Sequence, residues 1–309
     1  MEKHNIPQDI KVFGSRVETF PDGIGEAFDK LIKMLPSDNE RPYYGISECT
    51  KEGIIYKAAA LETYNGEAED YDCEIFTIEK GDYFTQTVTN WRSKTASMKQ
   101  VFEDMFRDEL SDRSSPCIEV YNNENEMVCM VKADQRKVLQ IEFKAVSKEL
   151  IQLLSSFSLK QINAIPFEGS WTAGQVAQHL VMSGLAFADL LNGPSKKTER
   201  TADEFVATIK EIFLNFHNKL ESPDFIKPAI INYDKSSLLS SLENIKVSIT
   251  HAVKTSELAE TCLAFELPVL GYLTRLEAIN FVIAHTQRHI HQLKKIYSTV
   301  TTKEFETAS

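Results

Sequence analysis

His285 and His289 stand four residues apart in a long segment of apolar periodicity, and His179 occupies a similar helical position far upstream. Residues at i and i+4 are neighbours on one helix face, so a His-x-x-x-His pair presents two imidazoles one turn apart. A third imidazole from another helix would complete a three-His site. Such a site leaves a coordination position open for water or a substrate atom, as catalytic zinc sites do and structural ones do not. Zinc is the default divalent cation for three imidazoles, and nickel and iron accept the same donors. The competing reading is a pair of core histidines hydrogen-bonded to nearby groups, the ordinary fate of an isolated His-x-x-x-His. Three neutral imidazoles converging in an apolar interior would each need a ring-nitrogen partner, and one cation supplies all three.

The elements that must position these side chains have clear starts. Thr172 and Gln175 form a Thr-x-x-Gln capping box ahead of one helix, with Trp171 and Val176 placed as its hydrophobic staple. Thr274 and Glu277 repeat the box ahead of the last helix. Each cap sets the rotational phase of the histidines downstream. Val176, His179, Ser183 and Leu190 then share one side, as do Ala278, Val282, His285, His289, Leu293 and Ile296, so the imidazoles point with the apolar stripe. His291 falls about 200° around from His289 and is expected to face solvent. Arg288 and Gln292 are possible orienters of the histidines, with an exposed salt bridge as the other reading of Arg288. His217 and His251 in polar helix-end surroundings, and His4 in a mobile terminus, receive no role.

Helical periods run from residue 137 to the end, over Val146–Ser158, Ala173–Leu191, Glu204–Leu220, Lys235–Thr255 and Arg275–Ser298. Punctuation at Asn192-Gly193-Pro194, Ser222-Pro223-Asp224 and Pro268 with Gly271 separates them. An all-α four-helix-bundle domain over 140–299 is the expectation. The first half is α+β instead: strand Ile10–Phe20, helix Gly23–Leu35, strands Tyr43–Glu48 and Ile54–Glu62. A second round follows, with strands from Cys73 to Thr89 about Lys80-Gly81-Asp82, helix Ala96–Leu110, and strands Cys117–Tyr121 and Met127–Lys132. A duplicated β-α-β-β unit over 1–136 accounts for that order. In Cys117–Tyr121, alternation puts Cys117, Glu119 and Tyr121 on one face and Ile118 with Val120 on the other. Glu119 is then either a ligand-facing carboxylate or an ordinary exposed strand residue. The acidic run Glu103, Asp104, Asp108 and Glu109 is a solvated face, and Phe102 with Phe106 belongs to the core.

The 309 residues suffice for two domains with separate cores, and 42% hydrophobic with 26% charged residues is ordinary for a soluble globular protein. A formal net charge of −11 excludes nonspecific nucleic-acid binding, which needs basic patches to displace counterions. No stretch approaches the ~20 apolar residues that span a bilayer, and the polar start leads into no signal-peptide core, so no membrane association is expected. Five scattered cysteines without a CxxC pair read as reduced thiols of a cytoplasmic protein.

Roughly residues 140–299 resemble the DinB-like, or YfiT-like, family of four-helix bundles. The resemblance rests on the stretch from Gly169-Ser170-Trp171-Thr172 through Gln178-His179-Leu180, on Phe225-Ile226-Lys227-Pro228, and on Gly271-Tyr272-Leu273-Thr274 leading into His285 through Gln292. It implies a divalent metal on His179, His285 and His289. It also implies a homodimer in many members, and in some a metal-dependent thiol S-transferase or hydrolase activity. The first half resembles the GyrI-like effector-binding domain, on its two-round element order and on Cys117-Ile118-Glu119-Val120-Tyr121, which is similar to that family's Glu-x-Tyr motif. That resemblance implies a small-molecule cleft with Glu119 and Tyr121 facing it and Tyr44, Tyr83 and Trp91 as wall residues. Relatives often carry a helix-turn-helix DNA reader, for which the early first strand leaves no room here.

Three functions follow as expectations. The first is a metal-dependent thiol transferase or hydrolase acting in detoxification, its cation lowering the pKa of a water or thiol. No carboxylate sits at a spacing that makes it a general acid or base. The second is a ligand-binding sensor with a structural metal, in which Glu119 and aromatics hold an amphiphilic cation. A third is inhibition of a protein partner by surface contact.

Overall fold

The structure, a computed structural model, describes residues 1–36 and 41–308. The chain divides into two compact units, Met1–Lys137 and Val138–Ser309.

The first unit contains strands β1 (Glu2–Ile6), β2 (Ile10–Arg16), β3 (Tyr43–Thr50), β4 (Gly53–Leu61), β5 (Glu74–Ile78), β6 (Gly81–Thr89), β7 (Cys117–Tyr121) and β8 (Glu126–Lys132). Helices α1 (Ile24–Met34), α2 (Glu67–Asp70) and α3 (Met98–Met105) interrupt them. All eight strands pair antiparallel in one sheet of order β1-β6-β8-β7-β3-β4-β2-β5. Exchanging β1 with β5, β2 with β6, β3 with β7 and β4 with β8 turns that order into its own reverse. The duplication is therefore real, but its unit is β-β-α-β-β rather than β-α-β-β. Each repeat lends its first strand to the other: β1 lies beside β6, and β5 beside β2. Sequence periodicity missed β1 because four of its five residues are exposed, so only pairing marks it as a strand. His4 lies in that strand, opposite Tyr83, and not in a mobile end.

Alternation sorts the sheet's two faces. Val12, Tyr44, Ile46, Tyr83, Ile118 and Met130 build a core on one face. Phe13 and Ala60 belong to the other, where Leu31 and Leu35 from the α1 segment cover them. The middle pair of the sheet is β3–β7, and the middle of that register sets Gly45 opposite Glu119.

The second unit is built from α4 (Gln135–Ser156), α5 (Ala173–Asn192), α6 (Val206–Leu214), α7 (Lys235–Thr255) and α8 (Arg275–Ala308). Two short strands, β9 (Ser195–Lys196) and β10 (Thr261–Cys262), pair between them. The expected start at Val146 is corrected to Gln135. Asp134 Oδ1 accepts the Lys137 amide at 3.1 Å, so the charged stretch read as a boundary is the capped first turn of α4. Behind it Leu139, Phe143, Val146, Leu150 and Leu154 form the buried stripe. α5 packs against α7 and α8, and α6 against α8. Val176, Leu190, Ala278, Leu293 and Ile296, the residues assigned to the inward faces, are all buried in the shared core. A truncation there, such as Leu293→Ala, costs about 2–5 kcal/mol through lost burial and the cavity left behind. Among the described residues no helix is long and apolar enough to cross a membrane.

Candidate functional site

Both expected capping boxes close. In α5, Thr172 Oγ1 accepts the Gln175 amide at 3.1 Å, and Gln175 Oε1 accepts the Thr172 amide at 3.0 Å. At α8, Thr274 Oγ1 accepts the Glu277 amide at 3.2 Å and Glu277 Oε2 accepts that of Thr274 at 2.8 Å. Glu277, fully buried, does more than cap. Its two oxygens each take a 2.6 Å bond from the Arg200 guanidinium, and Oε1 also accepts the Phe205 amide at 2.8 Å. One carboxylate thus ties the starts of α6 and α8 together, two turns before the first α8 histidine.

That phase brings His179, His285 and His289 into one cluster, all three buried, with their nearest ring nitrogens within 4.8 Å of one another. His285 Nε2 lies 3.1 Å from His179 Nε2 and 3.1 Å from His289 Nε2. The outer nitrogens decide the tautomers. His179 Nδ1 is 2.9 Å from the Ile226 carbonyl, with Ser222 Oγ at 3.3 Å, and His289 Nδ1 is 2.9 Å from Gln292 Oε1. A carbonyl oxygen only accepts, so both Nδ1 atoms carry the proton and both Nε2 atoms present lone pairs inward. His285 Nε2 can offer at most one proton to the two of them. At least two of the three Nε2 atoms therefore turn bare lone pairs toward one another.

Burial holds these rings neutral. It pushes His285 well below the usual histidine range, and a proton on either neighbouring ring or the Arg288 charge opposes its protonation further. The same cause takes His289 down to about 3 and lowers His179, where the Ile226 bond opposes it. Neutral imidazoles with inward lone pairs are the metal-binding form. Two nitrogens on one tetrahedral zinc stand roughly 3.4 Å apart, by Zn–N lengths of about 2.0–2.1 Å. The two 3.1 Å spacings need only slight opening and the third pair lies within 4.8 Å, so these donors can close on a divalent cation.

The cluster forms part of the wall of a cavity of about 1590 Å³. Phe213 and Phe281 lie against His285, with centroids 5.7 and 5.5 Å from its ring, and Trp171 lies 5.4 Å from His179. Gln292, weighed as an orienter, stands within hydrogen-bond reach of His289 Nδ1. Arg288 takes neither assigned role: it donates to the carbonyls of Phe213, Asn215 and Asn218. Those bonds occupy the chain just where α6 ends at Leu214, well before the expected Leu220. His291, expected in solvent, is half-buried and stacked on Phe216 at 4.3 Å, and it borders the cavity with His217. The acids that border the cavity, Glu168, Glu221 and Glu266, are all exposed.

In the sheet, Glu119 is buried, and two phenols donate to the same carboxylate oxygen: Tyr56, and Tyr121 at 2.6 Å. Burial pushes its carboxyl above the usual range, against the two hydrogen bonds that pull it down. Phe20 stacks on Tyr56 at 5.7 Å, while Phe28 and Trp91 pack on Tyr121 at 5.2 and 4.8 Å. Trp91 is thus beside Tyr121 as expected of a wall residue. Tyr44 and Tyr83 are not: both lie in the core on the opposite face, because alternation sends Tyr44 with Val120 and Tyr83 with Met130. Sequence reasoning missed Tyr56 and Gly45. A Cβ at Gly45 would stand 1.9 Å from the Tyr56 hydroxyl and 2.6 Å from the Glu119 carboxylate, so the glycine makes room for both.

Residues 142–293 match the family model of the DinB superfamily. The uncharacterized protein YuaE of Bacillus subtilis (strain 168) is 24% identical over 147 residues, covering 46% of this chain and 87% of YuaE. Among solved structures, an integron cassette protein from the mobile metagenome of Vibrio cholerae is 15% identical at a TM-score of 0.35, over 43% of this chain and 94% of that one. SAV2435, solved bound to tetraphenylphosphonium, is 10% identical at a TM-score of 0.34, over 43% of this chain and 93% of its own.

Proposed function

We propose that residues 142–293, which match the DinB superfamily model, hold a divalent cation on His179, His285 and His289 beside a cavity that admits a small-molecule substrate. The reading is a metal-dependent transferase or hydrolase, with detoxification as its setting. One observation carries it: two imidazoles whose Nδ1 protons are committed to carbonyl oxygens, so that three Nε2 atoms share at most one proton. When bound, a cation such as zinc, nickel or iron supplies Lewis acidity to a nucleophile or electrophile in the cavity. The chain's own residues do the rest. The Ile226 carbonyl, Ser222 and Gln292 hold two rings in the ligating tautomer. Phe213, Phe281 and Trp171 keep water from the rings and present an apolar surface to the substrate.

Elemental analysis of protein prepared without chelator or affinity-tag metal tests this. About one equivalent of zinc, nickel or iron, lost in His285→Ala, is expected. Metal-free protein whose melting is unchanged by added zinc would end the proposal.

A second reading concerns the sheet and rests on Glu119. A buried carboxylate with two phenol donors and three further rings packed around them suits an amphiphilic cation, through charge pairing and cation–π contact. Thermal shift with benzyltrimethylammonium and tetrabutylammonium should show stabilisation that Glu119→Gln removes. Equal shifts in both proteins would count against this cleft.

A further inference from the structure

The border of the helical cavity includes a cationic group: α8 contributes Arg288, His291 and Lys295, and the segment after α6 contributes His217 and Lys219. This is a built edge and not a scatter of mobile side chains. Arg288 clamps the 213–218 segment through three of its carbonyls, and Phe216 lies flat on the His291 ring, the planes 7° apart. The groups whose charges act on His291 are Lys295, Lys294, Arg288 and His217, all of them basic. Lys294 is matched by Glu149 at 2.7 Å, whereas Lys219 and Lys295 make no ion pair with a described residue. In a chain of net charge −11, cations gathered at one edge run against the composition.

Glu168, Glu221 and Glu266 also border the cavity, all of them exposed, and its Lys227 is already paired with Asp224 at 2.5 Å. Part of the wall is apolar: Phe187 stacks on Phe281 at 4.5 Å, Phe213 meets the same ring at 4.7 Å, and Phe265 packs on Phe187 at 5.7 Å. The aromatic surface continues to His285.

We propose that this cavity takes an amphipathic organic anion, its apolar body on the phenylalanine wall beside the histidines and its anionic group on the Lys219–Lys295 edge. The proposal rests on the cavity being the substrate site of the preceding section and names the class of molecule it selects. Attraction of the anionic group to that edge sets the orientation, leaving the uncharged body on the aromatic wall that continues to His285.

The test compares two dyes of nearly one shape: 8-anilinonaphthalene-1-sulfonate, which carries a single sulfonate, and uncharged N-phenyl-1-naphthylamine. Fluorescence titration of the full chain at low salt should show the sulfonate bound more tightly, with affinity falling as salt is raised. The double variant K219A/K295A should weaken the sulfonate about tenfold and leave the neutral dye unchanged. No binding of the sulfonate, equal affinity for both dyes, or indifference to the double substitution would each overturn the proposal. Metal content, measured on the same samples, reads the two proposals apart. Dye discrimination in protein that takes up no metal sinks the metal centre alone; metal uptake without discrimination sinks only the anion edge.

Discussion

Gln292 Oε1 lies 2.9 Å from His289 Nδ1, three residues further along the same helix. The amide oxygen fixes which ring nitrogen keeps its proton, and so aims a lone pair at the other two imidazoles. Gln292→Leu removes that acceptor without adding charge. A loss of about tenfold or more in zinc affinity is expected, as for other outer-shell partners of ligating histidines. Competition against a chromophoric chelator measures it, and Gln292→Glu should restore most of the affinity. Unchanged affinity in the leucine variant would show that the contact does not tune the site.

The buried histidines give the metal-free helical domain a definite pH dependence. Their folded pKa values lie below the ordinary histidine value of 6.5, so the unfolded chain binds protons first. The stability they confer is complete above pH 6.5 and is lost as pH falls toward the folded value of about 3 for His289. Urea titrations of apo protein, followed by Trp171 fluorescence in a Trp91→Phe background, should show stability dropping across that interval. Replacing His285 and His289 by asparagine should flatten the drop, and an equally steep profile would contradict the assignment.

Glu119 reverses the sign. Its folded pKa is raised above 4.5, so the folded state holds the proton longer and the first unit loses stability as pH rises through the folded value. Glu119→Gln should remove this loss and be the more stable protein at neutral pH. Binding of a lipophilic cation should strengthen in the wild type over the same interval, as the carboxylate forms. A wild type no less stable than the variant at pH 8 would argue that the carboxylate is better solvated than its burial implies.

Gly45→Ala tests the space around the same carboxylate. A methyl 1.9 Å from the Tyr56 hydroxyl cannot be accommodated without moving the phenol. Destabilisation by about 1–3 kcal/mol is expected, as for other overpacked cores. Combined with Tyr56→Phe, which deletes the hydroxyl, the substitution should cost less than the sum of the two single changes. Strict additivity would mean that the glycine serves some other purpose.

Glu277→Ala should be the most disruptive of these changes, at about 3–5 kcal/mol, because it strips the Arg200 guanidinium of its counter-charge, leaving it only the Thr201 and Tyr272 carbonyls, and leaves two backbone amides without their acceptor. Chemical denaturation measures the loss. A cost under 1 kcal/mol would show that the carboxylate merely caps α8.

Whatever depends on neighbours within a few residues was legible in the chain. Both capping boxes, the phase that buries His285 with His289, and the alternation that turns Glu119 and Tyr121 away from Ile118 are local consequences of helix and strand geometry. Tertiary structure decided the partners. His179 meets His285 across 106 residues, and Tyr56 meets Glu119 across 63. The Ile226 carbonyl that sets the His179 tautomer is a main-chain atom, which no residue type announces. Likewise β1, with its exposed residues, became legible only through the hydrogen bonds of β6. Periodicity records which way a side chain faces; what it then touches depends on chain closure over distances that periodicity does not encode.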